Sequence, residues 1–232
     1  MLFIACTQWR EARVQISFAI LKEEKRKMKT KQTIAIIGAS GNMGSAISKS
    51  ISGGNYRLLL LADKEEGKVR NLISSIQDIN PSADVEAINC SREASWEADI
   101  IISAVPYAAE KEVAEKIKEV ANQKIVISIT NPLNKTFDGL ETSPYMSAAE
   151  ELQKLLPNSK IIKAFNTTFA HDFSTGQTDG RQLDSFIAGN DEEALQTVSE
   201  LVSTAGFNPV IAGDLSVSRT LESLLLQNIS HN

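Results

Sequence analysis

The chain is predicted to fold as α/β, with a doubly wound, mostly parallel sheet and additional strands and a helix at its C-terminal end. Three observations carry this. An apolar β-branched run, Ile34–Ile37, stops at a glycine and gives way to a helical pattern. Apolar strand-like runs then alternate with 3.6-period segments from residue 33 to 130. One of those runs, Tyr56–Ala62, is continuously apolar rather than alternating, as a buried parallel strand reads.

The elements follow in order. Gly53-Gly54-Asn55 turns the chain after the first helix, and Tyr56–Ala62 (YRLLLLA) forms a second strand ending at Asp63. Val69, Leu72, Ile73, Ile76 and Ile79 share one face of a helix over 66–79, stopped by Pro81. Val85–Asn89 reads as a short third strand, and Asp99–Val105 (DIIISAV) as a fourth, closed by Pro106. Val113, Ile117, Val120 and Ala121 mark a helix over 109–121, and Lys124–Thr130 (KIVISIT) a fifth strand ending at Asn131-Pro132. Trp96 is expected to pack beside the fourth strand.

The second half is less regular. A polar loop spans 134–146, a short helix covers Ala148–Leu156, and Lys160–Phe165 and Asp184–Ala188 are strands. Asn190 with Glu193 predicts a capping box for a helix that Gly206 closes. Pro209–Ala212 supplies a last strand and Ser216–Ile229 a last helix. With no βαβ pattern of its own, this half is expected to extend the same sheet.

Composition sets outer bounds. The 232 residues are 42% hydrophobic and 23% charged, with a net charge of −5, which offers no basic footprint for nucleic acid. No apolar run reaches the length of a membrane span. Two cysteines, Cys6 and Cys90, make no disulfide framework, so a cytoplasmic setting is expected. Charge is uneven. Residues 1–31 carry eight Lys/Arg and three Asp/Glu, a net of +5, against −10 for the remainder. Lys22–Lys27 can be encoded by purines alone, like a ribosome-binding site, and Met28 follows. Translation is therefore expected to start at Met28, with 1–31 a basic extension or mis-assigned start and 32–230 one domain. The rival reading is a basic amphipathic tail.

The chemistry centres on Thr33–Gly44, TIAIIGASGNMG. Strand, glycine turn and helix start are the parts of a dinucleotide pyrophosphate site, here spaced G-x-x-G-x-x-G. Gly38 permits a tight turn, Gly41 a close approach of backbone to phosphate, and Gly44 close packing of helix on strand. The helix N-terminus offers unpaired N–H groups to an anion. Asp63, 19 residues after Gly44, can bind both ribose hydroxyls of NAD and would repel the 2′-phosphate of NADP; Lys64 could offset that repulsion. Ala104-Val105-Pro106 and Thr130-Asn131-Pro132 close neighbouring strands and suit a backbone wall under a flat ring. Asn166 and Thr167 can orient such a ring. Lys163 reads as an edge residue, and His171 as a solvated loop residue before a proton donor. No acid–base pair or metal-ligand motif is evident, which suits direct hydride passage between stacked rings.

Five segments together resemble a known family: IIGASGNMG, ADIIISAVP at 98–106, KIVISITNPL at 124–133, KIIKAFNT at 160–167 and AGDLSVSRTLESL at 212–224. They are similar to the NADPH-dependent F420 (deazaflavin) reductases, also called NADP oxidoreductase, coenzyme F420-dependent. The cytosolic domain of membrane ferric reductases is similar too. The resemblance implies a Rossmann-like, often dimeric protein that passes hydride between NADP and a deazaflavin or flavin. It places Gly38, Ser40, Gly41, Asn42, Met43 and Gly44 on the pyrophosphate and Ala104, Val105 and Pro106 beside the nicotinamide. Asn166, Thr167 and Thr168 would border the second ring. Arg219 and Glu222 match the family's C-terminal Arg and Glu, or form an i,i+3 pair on the final helix. Where the family usually has Ser/Thr-Arg, this chain has Ala62-Asp63-Lys64, which favours NAD. The competing expectations are a reductase of a small imine or carbonyl, with His171 as donor, and a non-catalytic NAD(P)-sensing module.

Overall fold

The computed structural model describes residues 31–61, 66–174, 177–178 and 181–230. Backbone contacts divide the chain between Lys31 and Gln32, and everything below concerns the second part. The basic extension, the Met28 start, Asp63 and Lys64 lie outside the described residues.

The strands are β1 (Gln32–Ile37), β2 (Tyr56–Leu61), β3 (Asp84–Ile88), β4 (Ile100–Ser103), β5 (Ile125–Ser128), β6 (Lys160–Lys163), β7 (Gln177–Thr178), β8 (Arg181–Gln182), β9 (Asp184–Gly189) and β10 (Asn208–Gly213). The helices are α1 (Asn42–Ile51), α2 (Glu66–Ile79), α3 (Ser91–Glu97), α4 (Tyr107–Ile117), α5 (Ala148–Leu155), α6 (Glu192–Thr204) and α7 (Ser218–Ser230). Eight strands form one sheet in the order β10-β9-β6-β5-β4-β1-β2-β3, and β7 and β8 form a small separate pair. Neighbours are parallel except β6 and β9, which run antiparallel. The second half therefore extends the sheet, as its lack of an independent pattern predicts.

Alternation along the strands sorts two cores. Ile34, Ile36, Leu58, Leu60, Ile100, Ile102 and Ile127 face α1, α2 and α6 on one side. Ala35, Ile37, Leu59, Leu61, Ile101 and Val126 face α3, α4 and α5 on the other. Both faces are covered, so central strands such as β4 are buried at every position.

Three local expectations need correction. The short helix α3 was not foreseen, and Trp96 on it is 71% exposed rather than packed. Only Ala94 and Ser95 of this seven-residue helix turn inward; Lys124 Nζ fixes its end, donating to the carbonyls of Ser95 and Trp96. The N-cap of α6 is Asp191, which accepts from Ala194 N at 2.9 Å. Asn190 instead accepts from Leu215 N at 3.0 Å. Strand β9 runs through Gly189, which delays the helix by one residue, and Asp caps as well as Asn. A capping box does form, from Ser147 and Glu150 at the start of α5.

No helix among the described residues is long and apolar enough to cross a membrane.

Candidate functional site

The chain builds outward from β1 in both directions: β2 and β3 to one side, β4, β5 and β6 to the other. The crevice beyond the carboxyl ends of β1 and β4 is the topological switch point, where ligands of such sheets bind. The glycine turn and the Ala104–Pro106 segment meet there.

The three glycines have three different reasons. Gly38 has φ +86°, and a Cβ there would lie 2.3 Å from the Ala104 carbonyl oxygen. A Cβ on Gly44 would lie 2.3 Å from the Gly38 carbonyl oxygen. Both are demanded by the fold. Gly41 is not: its φ of −74° and ψ of 167° suit any residue, and the nearest atom to an added Cβ is 3.4 Å away. It is the N-cap of α1 yet provides no side-chain cap, where Ser, Thr, Asp or Asn would ordinarily serve. The N–H groups of Asn42, Met43 and Gly44 thus have no intrahelical acceptor, and no acidic residue occupies the first turn. An anion fits this cradle. Ser40 beside it is half-buried and Asn42 exposed. Met43 packs its side chain on the core and can offer only backbone. The end of β2 is held against the turn by Ala39 N, which donates to the Leu61 carbonyl at 3.0 Å.

The opposite wall comes from the ends of β4, β5 and β6. Ala104 N donates to the Ile37 carbonyl at 2.8 Å, Val105 is half-buried, and Pro106 is the exposed N-cap of α4. Asn131 and Asn166 clamp β5 to β6. Asn131 Nδ2 donates to the Asn166 carbonyl at 2.9 Å, and Asn166 Nδ2 donates to Asn131 Oδ1 and to the Leu221 carbonyl, both at 3.0 Å. The adjoining Phe165 has φ +58° and is buried against Phe173 and Phe207. Asn166 Oδ1 and Thr167 Oγ1 are buried without a protein partner. The Thr168 hydroxyl is spent closing the turn on the Phe165 carbonyl at 2.9 Å. His171 is a loop residue whose side chain is 80% exposed, stacked on Phe169.

Beneath this wall lies a buried charged network that the sequence reading missed. Lys163 is fully buried, not an edge residue. By alternation it shares the face of Ile161, where apolar residues would be expected. Its Nζ donates to Glu222 Oε1 at 2.7 Å and to the Thr130 carbonyl. Glu222, also fully buried, accepts from the N–H groups of Ala148 and Ala149 at the start of α5. Arg219 pairs with Glu150 instead, so Arg219 and Glu222 do not pair with each other: they point to different partners on α5 and β6. Glu110, 4% exposed, accepts from Thr130 Oγ1 at 3.0 Å and Ser128 Oγ at 3.3 Å. A visible sign was available: Glu110, Ala114 and Ile117 form the buried stripe of α4, with a carboxylate on it.

Burial pushes the Glu110 carboxyl up to about 7 from 4.5; nearby Glu222 adds to the rise, while Lys163 and the Thr130 and Ser128 hydroxyls oppose it. The folded chain therefore holds this proton more tightly than the unfolded chain. Folding stability is expected to fall as pH rises from about 4.5 to about 7 on this group's account, by up to about 3 kcal/mol. Urea titrations of wild type and Glu110→Gln across that window check this: the variant should lack the decline.

Residues 33–132 match the family described as NADP oxidoreductase coenzyme F420-dependent. The chain is 27% identical over 199 residues to an F420-dependent NADP reductase of Methanocaldococcus jannaschii, covering 82% of this chain and 88% of that one. It is 35% identical over 105 residues to the rat metalloreductase STEAP3, covering 45% of this chain but only 20% of the other. Among solved structures, an Arthrobacter protein assigned as an F420-dependent NADP reductase superposes with a TM-score of 0.74 at 22% identity, over 86% of this chain and 92% of that one. That last likeness speaks for the fold. The glycine turn and the ends of β4 and β5 fall within the stretch matched to that family, and the likeness to the Methanocaldococcus jannaschii reductase runs along most of the chain.

Proposed function

We propose that the protein transfers hydride between NADP(H) and a deazaflavin of the F420 type at the crevice between the glycine turn and the Ala104–Pro106 wall. The observation that carries this reading is the open N-cap at Gly41. Neither backbone angle nor packing requires glycine there, so the space above it is kept for a ligand. The pyrophosphate would rest on the N–H groups of Asn42, Met43 and Gly44, and the nicotinamide against Ala104, Val105 and Pro106. Asn166 Oδ1 and Thr167 Oγ1 are orphaned polar atoms that fit a polar ring edge, and unpaired buried groups of this kind call for a partner. Transfer from carbon to carbon asks the protein for position rather than for an acid or base, in keeping with an exposed His171. The preference for NAD drawn from Asp63 finds no support in the F420-dependent reductases that the chain resembles, which are named for NADP.

Thermal shift with NAD, NADH, NADP and NADPH tests the dinucleotide. A ligand at a hundred times its Kd stabilises by about 2.7 kcal/mol, which for a domain of this size raises Tm by roughly 5–10 °C. NADP and NADPH are expected to produce that rise, and NAD and NADH a smaller one. Stopped-flow absorbance with NADPH against the deazaflavin, FMN and FAD tests the acceptor. The deazaflavin is expected to be reduced fastest; turnover with none of them would refute the reading.

A further inference from the structure

We propose that Glu110 is a positioning residue whose charge, relayed through the Thr130 hydroxyl to the Val105 carbonyl, sets how strongly the site prefers oxidised over reduced nicotinamide. This rests on the reading above that the nicotinamide lies on the Ala104–Pro106 wall.

The geometry is a choice between two acceptors. The Thr130 hydroxyl has one hydrogen and lies 3.0 Å from Glu110 Oε1 and 3.4 Å from the Val105 carbonyl oxygen. With Glu110 ionised, that hydrogen goes to the carboxylate, and the Val105 carbonyl keeps its full negative end. With Glu110 protonated, the carboxylic acid can itself donate to Thr130 Oγ1, and the Thr130 hydrogen turns to Val105. Ionisation thus adds a buried negative charge and unmasks a carbonyl on the same wall. Both changes favour the cationic, oxidised ring over the neutral, reduced one.

The surrounding groups compensate that charge only in part. On β6 and α7, Lys163 and Glu222 neutralise each other at 2.7 Å. At the end of β5 and just beyond it, Ser128 and Thr130 are neutral donors. On α4 itself, Tyr107 lies one turn earlier; its phenol donates to Glu151 of α5 at 2.6 Å and is held protonated by burial and by that carboxylate. Two buried carboxylates share one ammonium, so one carboxylate must carry either a proton or an unmatched charge. Burial holds Glu110 near pH 7, and both states are populated at neutral pH.

Isothermal titration of wild type with NADP+ and with NADPH, from pH 6 to pH 8 and in two buffers of different ionisation enthalpy, tests this. The 2′-phosphate titrates in both nucleotides and cancels in their ratio. The NADP+ to NADPH affinity ratio is expected to rise about fivefold over that range, with proton release on NADP+ binding near pH 7. In Glu110→Gln the ratio should be flat. In Thr130→Val the midpoint should move to higher pH, because a donor that favours the carboxylate is gone. A wild-type ratio that does not change, a Glu110→Gln slope equal to wild type, or an unmoved midpoint in Thr130→Val each overturns the proposal. Failure of both nucleotides to bind at any pH would instead defeat the proposed function, and the inference with it.

Discussion

Lys163→Met is expected to destabilise the fold by about 3–5 kcal/mol, because it leaves Glu222 and Glu110 buried without a counter-charge. Within a total stability of about 5–15 kcal/mol that is enough to leave a substantial unfolded fraction on warming. Denaturant titration reads the loss directly. The double variant Lys163→Met/Glu222→Gln should recover most of it. Glutamine still accepts from the N–H groups of Ala148 and Ala149, as Glu222 does, and it brings no charge. A single variant within about 1 kcal/mol of wild type would show that the ion pair does not tie β6 to α7 as described. The pair's place explains the expected size of the effect. Lys163 reaches the carbonyl of Thr130 as well as Glu222, so one ammonium joins the end of β5, the start of α5 and the side of α7. All three converge under the Val105–Asn131 wall.

The glycine turn yields the second large effect, as a contrast between two alanines. Gly38→Ala sets a methyl against the Ala104 carbonyl oxygen at 2.3 Å and strains a φ of +86°; it is expected to cost several kcal/mol of stability. Gly41→Ala meets nothing closer than 3.4 Å and keeps an ordinary backbone, so its stability should stay within about 0.5 kcal/mol of wild type. Its methyl nonetheless points into the space over the helix N-terminus. NADPH affinity, measured by the nucleotide's fluorescence, is expected to drop more than about tenfold, a loss above about 1.4 kcal/mol of binding free energy. A stable Gly41→Ala with undiminished affinity would move the pyrophosphate elsewhere.

The central strands and helices were legible because their apolar patterns are local. Ile34–Ile37, Tyr56–Leu61 and Ile100–Ser103 are apolar runs of strand length, and Val69, Leu72 and Ile76 mark one face of α2. Gly38 and Gly44 were legible as fold glycines and Gly41 as the odd one, since strand, spacing and helix start coincide. What escaped was set by partners far away in sequence. Lys163 and Glu222 are separated by 59 positions, and nothing near Lys163 announces a carboxylate, so a lysine in an apolar run read as an edge residue. Arg219 and Glu222 sit at helical spacing, which suggested a mutual pair; Glu150 and Lys163 claim them instead. Trp96 read as core because large aromatics usually are, whereas α3 is too short to bury more than Ala94 and Ser95. At Asn166 the polar type was the right signal, but the amide's donors serve the Asn131 clamp and the Leu221 carbonyl, leaving only its oxygen for a ligand.

Direct hydride transfer between two carbon centres is the account's central claim, and an isotope decides it. NADPH carrying deuterium on the transferred face of nicotinamide C4 is mixed with the protein and the oxidised deazaflavin, and the reduced product is weighed. The ring carbon that accepts hydride does not exchange with water, so the account predicts that the deuterium is retained there, with none released to solvent. Deuterium recovered in water, with an unlabelled reduced deazaflavin, would contradict it.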